Sequence, residues 1–352
     1  RAPPLDKPSV NSNMQLTKVA LQNYYIPKEF REIAKKKFNP VKVSPEYGEE
    51  ARNIQAMLGE GLKANNYSSW FTTLLRMEEM QQMRDIHNYD RESTLSEVLP
   101  RSAIKLLELE VPGLAENRPS VLKNDRVMVR NPSGEKVYEG RVHKVTDKTL
   151  HLAFGPQFMS KYLPNLKVEV KFEFNRYPLR MAYRSVSKDQ DFLKRLCFPH
   201  PPKKNSSQNL SQIRPYNRDL ESNQQQLLAV QHIVAGTSGD APYLVFGPPG
   251  TGKTVTIVET IKQIYKLKPQ SRVLACAPSN AAADLMAIRL LEHIGKNHIF
   301  RLNAVSRDII TIPPKIREIS NITYQSGEVY VPETEYIMQF RVVVCTLVTA
   351  GR

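Results

Sequence analysis

The chain has 352 residues, of which 41% are hydrophobic and 8% aromatic; it is too long for one ordinary domain and too apolar for a disordered chain, so two or three folded units are expected. Fifty Lys and Arg against 35 Asp and Glu leave a formal charge of +15, a balance that favours a polyanionic partner such as nucleic acid or an anionic membrane surface. No stretch approaches the roughly 18 uninterrupted apolar residues of a membrane span and no signal-peptide core is visible, so neither spanning nor secretion is expected.

The charge is uneven. From Arg218 onward there are 14 basic and 11 acidic residues, which leaves +12 for residues 1–217. Cys197, Cys276 and Cys345 lie far apart in sequence, and the last two sit in apolar strand-like runs where a thiol behaves as a small hydrophobe. No metal site is indicated. A reducing, cytosolic compartment is the default expectation, and the sequons at Asn66, Asn205, Asn209 and Asn321 read as incidental.

In chain order, residues 1–14 are Pro-, Ser- and Asn-rich and read as a tail. From residue 15 to about 106 the expectation is a mainly helical region. Trp70, Phe71, Leu74, Met77 and Met80 recur at spacings of three and four, predicting a helix with one packing stripe and with Glu78, Glu79 and Arg84 facing water. Residues 107–182 change to a period of two. Val127 and Val129, then Val168, Val170, Phe172 and Phe174, alternate with polar residues as half-buried antiparallel strands do. The turn-forming runs Asn131-Pro132-Ser133-Gly134 and Thr146-Asp147-Lys148 separate short strands, so a small closed or nearly closed β-barrel is predicted. Lys123, Arg126 and Arg130, with Arg141, Lys144, Lys167 and Lys171, could line a phosphate-backbone track, although Lys on exposed strands also discourages edge pairing.

Residues 183–217 end in a Pro-, Ser- and Asn-rich stretch that reads as a linker, and a new unit spans 218–352. Its short apolar runs, Tyr243–Phe246, Arg272–Ala277 and Arg341–Thr346, alternate with helical segments. That is the βαβ rhythm of a parallel sheet covered on both faces. The fold class is therefore α/β multidomain.

Gly247-Pro248-Pro249-Gly250-Thr251-Gly252-Lys253-Thr254 fits the phosphate-loop pattern completely, between a predicted strand and the predicted helix Val255–Lys266. Glycines let backbone amides wrap a phosphate, and the following helix N-terminus adds partial positive charge. Lys253 is expected to reach the β- and γ-phosphates, and the Thr254 hydroxyl to ligate Mg²⁺. About twenty residues upstream, Asn223 and Gln226 lie in a glutamine-rich helix start. A Gln amide can pair with both N6 and N7 of adenine and so select ATP, while three successive glutamines are also an ordinary helix surface.

Asn223-x-x-Gln226, the phosphate loop, Ala277–Asp284, Phe300–Arg307 and Cys345–Arg352 resemble, in order, the Q motif and motifs I, Ia, Ib and Ic of superfamily 1B RNA helicases. Leu109–Leu122, Phe174-Asn175-Arg176 and Ala241-Pro242-Tyr243 are most similar to the branch of Moloney leukaemia virus ten and Armitage, related to the nonsense-mediated-decay helicase. The resemblance implies a RecA-like P-loop NTPase lobe with a β-barrel on a helical stalk. It also implies 5′ to 3′ RNA unwinding or protein displacement driven by ATP and Mg²⁺. Gln226 would contact adenine, and Ser279, Asn280, Arg307 and Thr346 would lie near single-stranded RNA, although Ser and Asn after a strand also cap helices. Partners would be RNA-silencing or RNA-decay proteins in cytoplasmic ribonucleoprotein granules (P-bodies).

Two alternatives stay open. The basic barrel could be a non-catalytic scaffold for RNA or a protein partner, with the nucleotide site as a switch, or the same motifs could serve a DNA helicase. The sequence as given reaches Arg352 without a Walker B Asp-Glu pair or arginine fingers, so this stretch by itself is expected to hydrolyse ATP negligibly.

Overall fold

The computed structural model describes residues 21–98, 105–112, 121, 125–131, 134, 136–188, 190–200, 213–305, 307, 309–323 and 329–351. The expected tail, much of the expected linker with Asn205 and Asn209, and the centre of the turn at Pro132-Ser133 lie outside these residues. The chain divides into two compact units, residues 1–188 and 189–352.

The first unit opens with three helices, α1 (Lys28–Lys35), α2 (Gly48–Glu60) and α3 (Tyr67–Ile86). Phe30, Ile33, Ala51 and Ile54 form their shared core, against which Met77 and Met80, two of the five residues of the predicted stripe, pack from α3. The prediction for Glu79 needs correction. Its carboxylate is buried, takes an ion pair from Arg176, and accepts a 3.0 Å hydrogen bond from the Tyr183 hydroxyl. A partner 97 residues away leaves no trace in a helical-wheel reading. Burial, with the Glu79 charge adding to it, raises the Tyr183 pKa above the ordinary phenol value.

The barrel follows from β1 (Arg91–Glu97), β2 (Leu107–Glu110), β3 (Arg126–Arg130), β4 (Val137–Val145), β5 (Thr149–Phe154), the short helix α4 (Pro156–Met159) and β6 (Leu166–Glu173), and α5 (Tyr177–Ser187) completes the unit. The strand order is β1-β2-β5-β4-β3-β6, closed by antiparallel pairing of β1 with β6. Alternate residues point inward: Val127 and Val129, Leu150 and Leu152, Val168, Val170 and Phe172 share one core, each such burial contributing about 1.5–3 kcal/mol. The barrel begins sixteen residues before the expected boundary at 107, because β1 carries one buried apolar residue, Leu95, in an otherwise polar run. A strand held mainly by its ladders shows no alternation to read.

Gly140 marks the tightest point of the barrel. A Cβ there would stand 2.5 Å from Cε1 of Phe154, whose ring packs 4.3 Å from that of Phe158 on α4. Gly140→Ala is therefore expected to destabilise the barrel by about 1–3 kcal/mol through overpacking. Gly134→Ala meets ordinary contacts near 3.7 Å and serves as the neutral control when the two are compared by thermal melting.

The second unit comprises α6 (Gln190–Cys197), α7 (Gln224–Ala235), α8 (Lys253–Leu267), β7 (Val273–Ala277), α9 (Asn280–Leu291), β8 (Ile299–Arg301), α10 (Pro314–Arg317), α11 (Thr334–Ile337), β9 (Val342–Thr346) and α12 (Leu347–Ala350). The strands form a parallel sheet in the order β7-β9-β8. Ala275, Ala277, Val342 and Val344 on one face pack against Val258 and Ile261 of α8 and Met286, Ala287 and Leu290 of α9. The opposite face is covered in part only: Phe300 is buried against Phe340, whereas Leu274 is 60% exposed.

A second correction concerns Tyr243–Phe246. The run forms no strand, pairs with none among the described residues, and leaves Leu244 83% and Phe246 97% exposed. An apolar run becomes a strand only when a neighbour completes its ladder, and the ladders of β7, β8 and β9 join those three strands to one another.

Candidate nucleotide and nucleic-acid sites

The phosphate loop is shaped by its glycines. Gly250 and Gly252 have φ of +84° and +81°, values that L side chains rarely adopt, and Gly252 is the N-cap from which α8 departs. An added Cβ at Gly252 would collide with the Gln226 amide at 2.2 Å, while one at Gly250 would meet nothing within 4 Å. The Thr251 hydroxyl donates to the Pro248 carbonyl at 2.8 Å and closes the turn. Lys253 Nζ donates to the carbonyls of Gly247 at 2.5 Å and Pro248 at 2.7 Å. The ammonium is thus held over the loop. Thr254, next on the helix, is exposed.

Asn223 accepts the Gln226 backbone N–H at 3.2 Å and so caps α7. The Gln226 side-chain amide donates to the Thr251 carbonyl at 2.8 Å, which ties α7 to the loop. Gln226 is thus brought to the loop with one of its amide N–H groups engaged by protein, whereas Asn223 serves as the cap of the helix that carries it. Glu259, which sequence reasoning missed, is buried on α8 and accepts from the backbone N–H groups of Tyr216 at 2.8 Å and Asn217 at 3.2 Å and from the Gln263 amide at 2.8 Å. Only its i, i+4 spacing to Gln263 could have hinted at this.

The expected RNA-facing residues gather at the carboxyl ends of the parallel strands, where open α/β sheets bind ligands. Ser279 caps α9 by accepting the Ala282 N–H at 3.2 Å, and Thr346 caps α12 by accepting the Thr349 N–H at 3.3 Å. Asn280 accepts from Arg301 at 3.0 Å. Arg307 departs from an open phosphate-facing position. Its guanidinium, 5% exposed, donates to both carboxylate oxygens of Asp284 at 2.9 and 2.5 Å and to Asn303 at 2.6 Å. Arg301, fully buried, donates to the same carboxylate at 2.9 Å. Burial lowers the Arg301 pKa, and Asp284 works in the opposite direction. An arginine inside the apolar run Ile299-Phe300-Arg301-Leu302 was the available signal for this network.

On the barrel, Arg126 is paired with Glu173 at 2.6 Å and Arg130 with Glu169 at 2.5 Å, both as cross-strand neighbours on β3 and β6. Their positive charge is shared with carboxylates, which a reading of the basic residues alone did not include. Lys123 lies outside the described residues.

Family models match in the same order as these units: the helical domain of helicase MOV-10 over residues 21–88, the β-barrel domain of helicase MOV-10 over 89–172, and an AAA domain over 221–330. The chain belongs to the MOV-10 branch of the superfamily 1 helicases. It is 42% identical over 87% of its length to the mov-10-B.1 protein of Danio rerio and 40% identical over 95% to the MOV-10 protein of Gallus gallus. It is 28% identical over 84% of its length to the RNA helicase Mov10l1 of Homo sapiens. The match covers 30%, 34% and 29% of those relatives, so the chain spans about a third of the length of the MOV-10 proteins it matches. The helical and barrel matches also meet at residue 89, which agrees with a barrel that starts at β1. The AAA match brackets the phosphate loop, α9 and the Arg301 network.

Proposed function

We propose that this chain supplies the nucleotide-binding lobe and an RNA-binding barrel of an ATP-dependent RNA helicase, one that unwinds RNA or strips protein from it in the 5′ to 3′ direction. The observation that carries the reading is the phosphate loop: two glycines with positive φ deliver the chain into α8 with Lys253 at its first turn. Backbone amides there face a triphosphate, the Lys253 ammonium leaves the loop carbonyls for phosphate oxygens, and Gln226 beside Gly252 lies where an adenine edge would be read. Mg²⁺, when bound, neutralises phosphate charge, and the exposed Thr254 hydroxyl is the ligand this segment offers it.

Single-stranded RNA would cross the sheet's carboxyl ends, near Ser279, Asn280 and Thr346, and the basic face of the barrel. The barrel pairs do not preclude this. Cross-strand ion pairs on an exposed face contribute only about 0.2–1 kcal/mol, so a phosphate can displace Glu173 from Arg126 or Glu169 from Arg130 at small cost. Action with RNA-silencing or RNA-decay proteins in cytoplasmic granules belongs to the same proposal and follows the family resemblance; imaging the tagged full-length protein tests it.

The RNA path is tested by fluorescence anisotropy with a labelled single-stranded RNA across a salt series. Affinity should fall with salt, and the slope of log K against log salt should be shallower by about 1.4 in the Arg126→Ala/Arg130→Ala variant, about 0.7 for each lost phosphate contact. An unchanged slope removes the barrel from the path. Competition by DNA of the same sequence as strong as by RNA would favour a DNA helicase, because 2′-hydroxyl contacts would then be absent.

A further inference from the structure

β7 and β9 are hydrogen-bonded neighbours in which Cys276 and Cys345 are directly paired. Paired residues on adjacent strands present their side chains to the same face, and here the two sulfurs stand 3.9 Å apart. Neighbouring strands lie about 4.8 Å apart, inside the Cα separation of roughly 4.4–6.8 Å that a disulfide tolerates. Side-chain rotation alone can therefore close the remaining gap. We infer that Cys276 and Cys345 form a redox modification site, a thiol pair that peroxide converts to a disulfide and that dithiols restore.

The two thiols have different roles. Cys345 is fully buried and burial pushes its thiol up to about 12, so it resists direct attack on an oxidant. Cys276 is half-buried, on the face where Leu274, two residues away, is largely exposed. The Cys276 sulfur attacks one peroxide oxygen and the O–O bond breaks, which gives a sulfenic acid and, with the thiol proton, one water. The Cys345 sulfur then attacks the Cys276 sulfur; the S–O bond breaks, and hydroxide leaves with the Cys345 proton as a second water. Both sulfurs are oxidised by one electron each and one peroxide is consumed. In a reducing compartment the bond would be transient.

The pair also sits at a consequential place. Cys345 adjoins Thr346, and Cys276 lies three residues before Ser279, so the crosslink would staple the two strand ends that lead into the caps of α9 and α12. The modification itself does not depend on the RNA reading.

The test is peptide mapping of the whole chain after hydrogen peroxide, with alkylation of remaining thiols and tryptic digestion. The expected product joins peptide 273–289 to peptide 342–352, with two hydrogens lost and two alkylatable thiols missing. It should vanish on dithiothreitol and be absent from Cys276→Ser. Cys345→Ser should instead leave a Cys276 sulfenic acid that dimedone traps, and Cys197→Ser should keep the linked peptide. Recovery of Cys345 as the alkylated thiol while Cys276 proceeds to sulfinic acid would overturn the inference, as would linkage of either residue to the exposed Cys197 in preference.

Discussion

Lys253→Ala is expected to weaken binding of a non-hydrolysable ATP analogue with Mg²⁺ by about 2–3 kcal/mol, roughly 30- to 150-fold, while leaving the fold intact. The magnitude is that of charge-assisted hydrogen bonds to phosphate oxygens. The fold should survive because the ammonium bonds to the carbonyls of Gly247 and Pro248, which water can satisfy once the side chain is gone. Lys253→Arg should not restore affinity, since a bulkier planar fork does not converge on the phosphate oxygens as a compact ammonium does. Isothermal titration calorimetry separates the outcomes. Wild-type affinity in Lys253→Ala, with an unchanged melting temperature, would place any nucleotide elsewhere and return the barrel to the role of a scaffold.

How far the sequence could be read depended on whether the deciding contact was local. The phosphate loop was fully legible, because Gly250 and Gly252 encode their own backbone angles and the helix that follows encodes its own start. Alternation in β3 and β6 announced a barrel for the same reason: each strand carries its inward face in its own residues. β1 did not, since its stability comes from ladders to β2 and β6 rather than from apolar residues of its own. The run Tyr243–Phe246 failed in the opposite sense, with strand composition but no ladder among the described residues. Glu79 with Arg176, Asp284 with Arg301, and Cys276 with Cys345 were illegible for a shared reason. Their partners lie 97, 17 and 69 residues away, beyond any helical or strand period. Capping was half legible: Ser279, Asn223 and Thr346 are residue types that cap helices, and the same types serve RNA contact, so type alone could not divide the two roles.

Asp284→Ala is expected to destabilise the second unit by about 3–5 kcal/mol, because it leaves two buried guanidiniums without a counter-charge. Arg301 and Arg307 are fully buried and 5% exposed, and the Asp284 carboxylate receives three of their hydrogen bonds. Asp284→Asn should recover part of the loss, since the amide oxygen still accepts one donor but the charge is gone and its NH₂ faces cations. The damage should be local. Hydrogen-exchange mass spectrometry should show protection across residues 280–307 falling by roughly two to four powers of ten, with β3 and β6 of the barrel unchanged. The pattern has a functional corollary, because Arg301 also holds the Asn280 side chain at 3.0 Å: motif Ia is fastened through this carboxylate to the strand end of β8. A loss below about 1 kcal/mol in Asp284→Ala would mean that water reaches both guanidiniums, and the network would then be a surface feature rather than the fixed support on which the α9 N-terminus rests.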